Sequence, residues 1–272
     1  MQLPFADAAL AARLESVSAH ENERFAAAAQ RLSPSSPAAS TWIAGGCAVF
    51  LGPGAILNQA TGLGLAGPVT VEDINELEAF YNSRGVATKV NVCPLADASL
   101  VRELSHRSYR VDDFENVLLL GLDSDVEPPA PDPAIDIREV GPEDWELWGR
   151  QIARGFSAPA EPTEADLYLG HLIAHQEGIT RLLAYVDGVP AGTGELAIRD
   201  GLGWLSADTT LPEYRGRGIQ SAMQRTRVRL AWEAGCDLAV TESHPGSGSQ
   251  RNMERLGFRV AFTRIDMVQR EA

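Results

Sequence analysis

One stretch of this sequence carries chemistry in its residue types and spacing: Thr209-Thr210-Leu211-Pro212-Glu213-Tyr214-Arg215-Gly216-Arg217-Gly218-Ile219-Gln220-Ser221. An apolar, strand-like run stops at a proline, and a Gly/Arg turn opens into a helical pattern. Two glycines allow a tight bend and let a ligand approach the main chain where no Cβ stands in the way. Successive N–H groups at a helix N-terminus lack intrahelical partners and carry about half a positive charge between them, so they bind phosphate. Arg215 and Arg217 add fixed charge to this anion site.

The run resembles the cofactor signature of the GNAT N-acetyltransferases, R-x-x-G-x-G/A, with Arg215 and Gly218 in register. Gln220 stands where that pattern has a small residue, and its side chain either crowds a bound pyrophosphate or points along the helix. The resemblance implies acetyl-CoA as co-substrate. It implies that the amides of Arg215, Gly216, Arg217, Gly218, Ile219, Gln220 and Ser221 hold the pyrophosphate. It further implies that Thr210 and Leu211 pair with the pantetheine amides like a neighbouring strand. The family's next motif, N-x-x-S/A-x-x-x-Y-E-x-x-G-F, anchors on Gly257-Phe258 and places Ser249 and Glu254 at their positions. Gly246 and Met253 replace its Asn and Tyr, the latter often the proton donor to the leaving thiolate. Asn252 lies three residues after Ser249, on the same helix face, as a further cofactor contact.

Chemistry of this kind is a direct transfer, in which a neutral amine attacks a thioester held where two neighbouring strands part. A base must take the amine proton and a backbone N–H must hold the oxyanion. Asp208 precedes the cofactor turn, Glu242 and His244 end the next strand, and Glu195 lies on the strand before. Glu242 is favoured by placement, with Asp208 and His244 as the other bases and the C-terminal carboxylate as a remoter one. For each alone, a solvated or substrate-binding role competes with catalysis.

Two further patterns are read as structural. Gly62-Leu63-Gly64-Leu65-Ala66-Gly67 satisfies the dinucleotide fingerprint G-x-G-x-x-G, but Pro68 follows at once, no clear strand precedes it, and no acidic residue follows near Asn91. It reads as a glycine-rich turn. His171 and His175 lie at i and i+4 on one helix face; with no third ligand nearby in sequence, no metal site is expected. His171 and Tyr168 are expected beside the substrate pocket, on the resemblance alone. The five tryptophans lie mostly at core-facing spacing.

The elements that must position these residues read in order. In the C-terminal half, a strand near Ile135 to Val140 leads to a helix starting at Pro142, and a second helix runs from the Thr163 cap through His175. Strands follow at residues 179–186 and 189–198, joined by Asp187-Gly188, and a third ends near Thr209. A helix over residues 218–234 closes at Gly235, followed by a strand, a short helix capped by Ser247 or Ser249, and a strand from Phe258. Three consecutive strands joined by tight turns must be antiparallel, so the βααβββαβαβ order describes a mixed α/β (α+β) domain.

The N-terminal half ends similarly, and Arg107-Ser108-Tyr109-Arg110-Val111 echoes Leu256-Gly257-Phe258-Arg259-Val260. Together these features suggest two GNAT-like domains in tandem, each a largely antiparallel mixed sheet flanked by helices, the first degenerate. Residues 124–134 hold four prolines in an acidic run, which favours extended backbone. The expected division is a degenerate domain at 1–127, a linker at 128–134 and a catalytic domain at 135–272. The first lacks any R-x-x-G-x-G/A run, so it is expected to bind no cofactor and to wall the substrate groove or pack the halves together.

The chain has 272 residues, 44% apolar and 22% charged, with a formal net charge of −14. That charge repels nucleic acid and anionic lipid and attracts a cationic amine. Cys47, Cys93 and Cys236 are scattered, without metal-ligand spacing, and read as buried reduced thiols. Asp7, Arg13 and Glu15 interrupt the first residues before any signal-like apolar run, and no stretch approaches the ~20 apolar residues that span a bilayer. A cytoplasmic monomer or homodimer is expected, acting on a small-molecule or peptide amine. The competing expectation is an acyl-CoA-binding protein of this fold that has lost turnover and serves regulation or sensing. A nucleotide-binding oxidoreductase built on Gly62 to Gly67 is the third.

Overall fold

Asp7 accepts the Leu10 amide and so starts α1 (Ala8–Leu32), which ends as the Ser/Pro run from Ser33 begins. The computed structural model describes residues 4–130 and 132–270. A hairpin of β1 (Ala39–Ile43) and β2 (Gly46–Phe50) turns on Ala44 and Gly45, both at positive φ. Next come β3 (Gln59–Thr61), α2 (Val71–Asn82), β4 (Lys89–Val92), α3 (Ala98–His106) and β5 (Tyr109–Gly121). The C-terminal half runs β6 (Asp136–Glu139), α4 (Trp145–Ser157), α5 (Glu164–Ala174), β7 (Ile179–Val186), β8 (Val189–Arg199) and β9 (Leu202–Thr210). It closes with α6 (Ile219–Glu233), β10 (Leu238–Ser243), α7 (Gly248–Arg255) and β11 (Arg259–Gln269). This is the βααβββαβαβ order expected, with Thr163 and Ser247 as caps.

Contacts divide the chain into two units, one of residues 118–259 and one of residues 4–117 with 260–270. The boundaries differ from the expected break at 128–134, of which Pro131 lies outside the described residues. The reason is that both cuts fall at or inside strands: β5 gives residues 109–117 to one unit and 118–121 to the other, and β11 beyond Arg259 groups with the N-terminal elements.

In the 118–259 unit the strand order is β5-β10-β9-β8-β7-β6. The pairs from β6 through β9 are antiparallel and β9 with β10 is parallel. Side chains alternate across the sheet. A Cβ on Gly194 of β8 would lie 2.8 Å from Met223, and one on Gly203 of β9 would lie 2.5 Å from Ala231, so this face belongs to α6. Arg181 of β7 faces the other side and reaches the Ile173 carbonyl at the end of α5. Leu182, Ala184 and Ala191 bury against Ile219 and Met223, and Leu196, Leu205 and Ala239 against Val228, Ala231 and Phe258. Each of the leucine, isoleucine, valine, methionine and phenylalanine side chains among these contributes about 1.5–3 kcal/mol.

The other unit orders its strands β1-β2-β3-β4-β11-β5, with β3 and β4 parallel. Its core joins Leu63, Ile74, Leu77, Tyr81, Leu100 and Leu104, and a buried Arg264–Glu15 pair at 2.7 Å ties β11 to α1. The echoed pentapeptides are the same joint built twice. Ser108 and Gly257 both turn at positive φ between a helix and a strand, and the aromatic residue that follows, Tyr109 or Phe258, is buried.

Helices α4 and α5 meet at Gly149 and Gly170, where a Cβ on Gly170 would lie 2.2 Å from the Gly149 carbonyl oxygen. Gly170→Ala is therefore expected to part the helices and cost about 1–3 kcal/mol. An unchanged urea midpoint would show that the crossing yields freely.

Candidate active site

The parallel ladder of β9 and β10 runs from Leu202↔Leu238 to Leu205↔Thr241 and stops there, although β9 continues to Thr210 and β10 to Ser243. The cause lies on the other side of β9. Between the pairs Thr193↔Thr209 and Glu195↔Ser206, β8 has one residue, Gly194, and β9 has two, Ala207 and Asp208. This bulge, with Ala207 at φ 55°, bends β9 away from β10 and opens a gap between them.

A fully buried arginine holds the bulge. Arg227 of α6 donates to the carbonyl oxygens of Glu195 and Ser206, each at 2.9 Å, and its guanidinium pairs with Asp208. Gly194 leaves it room to pass, since a Cβ there would lie 3.1 Å from the guanidinium carbon. Thr193 adds a hydroxyl bond to the Ala207 carbonyl at 2.9 Å.

Beyond the bulge, Gly218 caps α6 at φ 83° with no side chain to bond the first amides. The first helical bond runs from Ala222 to Gly218, so the N–H groups of Ile219, Gln220 and Ser221 stand before it without an intrahelical acceptor. They face a cleft of about 670 Å³. Of the expected cofactor residues, Thr210, Arg215, Gly216, Gly218, Ile219, Gln220, Ser221, Ser249 and Asn252 line it. Leu211 and Arg217 do not. Leu211 is buried, its N–H bonds the Ala191 carbonyl at 3.0 Å, and its carbonyl accepts from Tyr214 at 2.9 Å. Arg217 is exposed and turns back over the Tyr214 ring at 5.4 Å.

Gln220 points at α7: its carbonyl accepts from Asn252 at 2.7 Å and its amide reaches Ser249 at 3.4 Å. It therefore reaches across to α7 while also lining the cleft. Arg251 and Arg255 also line the cleft and were not anticipated. Their i, i+4 spacing on α7, in phase with Asn252, is the signal that could have found them.

For a phosphorylated thioester the cleft offers open glycine backbone at Gly216 and Gly218 and an unmatched hydroxyl on Thr210, while Ser243, at the end of β10, lies off its lining. The hydroxyls of Thr210 and Ser243, which end β9 and β10, are buried with no hydrogen-bond partner in the protein. Buried hydroxyls are rarely left so.

Among the expected bases, Asp208 is engaged by Arg227. Glu242 is half-buried on β10, and His244 is exposed just past its end. Glu195 is buried, 3.8 Å from Arg181, and accepts from Ser206 at 3.4 Å. The C-terminal carboxylate lies outside the described residues. Met253, at the expected tyrosine position, is buried in the α6–α7 core.

The glycine-rich run of the other unit occupies a like place in its own sheet. Contrary to expectation, strand β3 immediately precedes it; α2 follows beyond Pro68. The environment is opposite in character. Thr70 caps α2 through a capping box with Asp73, and Glu72 adds a second acidic group to the first turn. The N–H of Gly64 bonds Ala44 and its carbonyl accepts from Asp97. Thr61 and Asn91, the paired ends of β3 and β4, bond each other at 2.7 Å, so that ladder is stitched where the other parts.

A mixed sheet that parts at a bulge beside an uncapped helix defines a GNAT-type fold. Residues 144–258 match the Acetyltransferase (GNAT) family model. A GCN5-related N-acetyltransferase from Kribbella flavida is similar over 92% of this chain and 95% of its own, at 17% identity and TM-score 0.62. One from Sphaerobacter thermophilus matches 67% of this chain at 22% identity and TM-score 0.53, and this chain spans 59% of its length. A tandem GNAT protein from the clavulanic acid biosynthesis pathway matches 69% of this chain and 65% of its own, at 13% identity and TM-score 0.52. No curated protein matches the chain. No helix among the described residues is long and apolar enough to cross a membrane.

Arg227→Met should strand Asp208 beside a vacated guanidinium site and lower stability by about 3–5 kcal/mol. The double variant with Asp208→Asn should recover a large part of that loss in urea unfolding. Equal losses in both variants would mean that the ion pair does not hold the bulge.

Proposed function

We propose that the chain is an acetyl-CoA-dependent N-acetyltransferase that moves an acetyl group directly to an amine of a small molecule or peptide. The observation that carries this reading is the uncapped α6 N-terminus at the mouth of the β9–β10 gap. The amides of Ile219, Gln220 and Ser221, with Arg215, Arg251 and Arg255, would hold the pyrophosphate and the phosphate beyond it. Thr210 and Ser243 would bond the chain lying in the gap. Bound there, acetyl-CoA supplies an activated acetyl thioester. The amine nitrogen bonds the acetyl carbon as the C–S bond breaks. Glu242 takes the amine proton, with His244 beside it in sequence, while Asp208 holds Arg227 in place. The departing sulfur needs a proton that Met253 cannot give, and we assign that role to the Ser243 hydroxyl. The acidic surface suits a cationic acceptor.

The buried Met253 also favours a second reading, an acyl-CoA-binding protein without turnover. Both readings leave the 4–117 unit without cofactor, because its α2 N-terminus carries its own carboxylate cap.

Calorimetry should find one acetyl-CoA bound per chain. Arg215→Ala and Arg251→Ala should each weaken it about tenfold or more, as loss of a charged hydrogen bond does, whereas Arg217→Ala should change it by less than about twofold. No binding by the parent would end both readings, and two equivalents would overturn the assignment of the 4–117 unit. Turnover on amines is read by released thiol. The protein's own cysteines are buried, and burial pushes Cys47 and Cys93 up to about 12, so they stay silent in that assay. Glu242→Gln should keep binding and lower kcat about 100-fold. Binding without release for any amine would select the second reading.

A further inference from the structure

We propose that Glu146, His171 and His175 form a binding site for a divalent transition-metal ion, Zn²⁺ by the chemistry of its ligands, at the crossing of α4 and α5. The sequence offers only the two histidines. The fold adds Glu146, because the close approach at Gly149 and Gly170 lays the first turn of α4 against the last turn of α5. His171 Nδ1 lies 2.9 Å from Glu146 Oε1, and His175 Nε2 lies 3.9 Å from the same oxygen. All three ligand atoms fall within 4.8 Å of one another. Four-coordinate zinc with bonds of about 2.0 Å spaces its ligands by about 3.3 Å, so three atoms spread over 2.9 Å to at most 4.8 Å would draw in slightly around the ion.

The protonation pattern points the same way. His175 Nδ1 lies 2.8 Å from the His171 carbonyl oxygen. A carbonyl only accepts, so Nδ1 carries the proton and, in the neutral ring, Nε2 presents a lone pair. Nε2 faces the Glu146 carboxylate at 3.9 Å, on the side where the cluster lies. A backbone carbonyl bonded to the far ring nitrogen is the arrangement that orients metal-bound histidine. Trp145 walls the site, its ring edge-on to His175 at 5.3 Å. Arg181, near the same tryptophan, is held away by the carbonyls of Ile173 and Ile179. The cluster opens to solvent, with the Glu146 side chain 59% exposed and His171 33%. Two imidazoles and one carboxylate leave a fourth position for water, and the ion would clip the end of α5 to the start of α4. The site is separate from the cleft and does not rest on the acetyl-transfer reading.

The test is titration of chelator-treated protein with Co²⁺, then Zn²⁺. One Co²⁺ per chain is expected, with the visible absorption of a four-coordinate site, displaced by one Zn²⁺. His171→Ala and His175→Ala should weaken binding at least tenfold. The thermal midpoint of the parent should rise with Zn²⁺, and that of the variants should not. If circular dichroism shows an alanine variant unfolded, His175→Gln takes its place. Absence of stoichiometric binding by the parent, or binding that the folded variants leave intact, would overturn the site and leave a plain histidine–carboxylate contact.

Discussion

The 118–259 unit depends on a buried guanidinium. Arg227 has no exposure, and a charge in that position survives only if its hydrogen bonds are met. They are met by Glu195 and Ser206, whose carbonyls the bulge turns towards α6, and by Asp208, the added residue of the bulge. The dependence runs both ways. Without the extra residue in β9, Asp208 would not face α6, and without Arg227 the freed carbonyls would lie buried and unpaired. The bend in β9 that follows is what separates it from β10 beyond the Leu205–Thr241 pair.

Charge explains why one sheet end suits a phosphate and its counterpart does not. The chain carries fourteen net negative charges, yet Arg215, Arg251 and Arg255 gather at one cleft, where the helix dipole adds to them. Helix α2 meets the same physical problem, orphan amides at an N-terminus, and solves it internally with Thr70 and Asp73. A helix end satisfied by its own carboxylate repels an anion; one capped by glycine invites it. The two units therefore share a strand–glycine–helix plan while differing in the few residues that decide binding.

Much of this was legible beforehand because it is local. Thr163 and Ser247 as caps, Gly235 after α6 and the β7 limits follow from residue chemistry within a few positions. The Arg215 to Ser221 turn was legible for the same reason. What escaped is what tertiary contact decides. Strand β3 has three residues, too few for any periodicity. The unit boundaries fall at or within strands, where no proline or glycine marks them. Arg227 reads as one more polar residue on a helix, and nothing in the sequence tells that Gly194 makes way for it. Glu146 lies 25 positions before His171 and joins it only because two glycines let the helices touch.

The departures from the family pattern also become intelligible as a set. Gln220 replaces a small residue, and Asn252 stands off the expected register; taken singly, each looks like decay of a cofactor site. In the structure they are partners, with the Asn252 amide donating to the Gln220 carbonyl and Ser249 at its other end. The bond fastens α7 to the first turn of α6, on the rim of the cleft. A small residue at 220 would leave Asn252 without that partner. Met253, the next residue along α7, turns into the core instead of the cleft and packs with Val228, Ala231 and Phe258. The helix that elsewhere in this pattern would supply a tyrosine hydroxyl here supplies packing on one face and an amide and two arginines on the other. The unmatched hydroxyls of this unit stand instead at the strand ends, on Thr210 and Ser243.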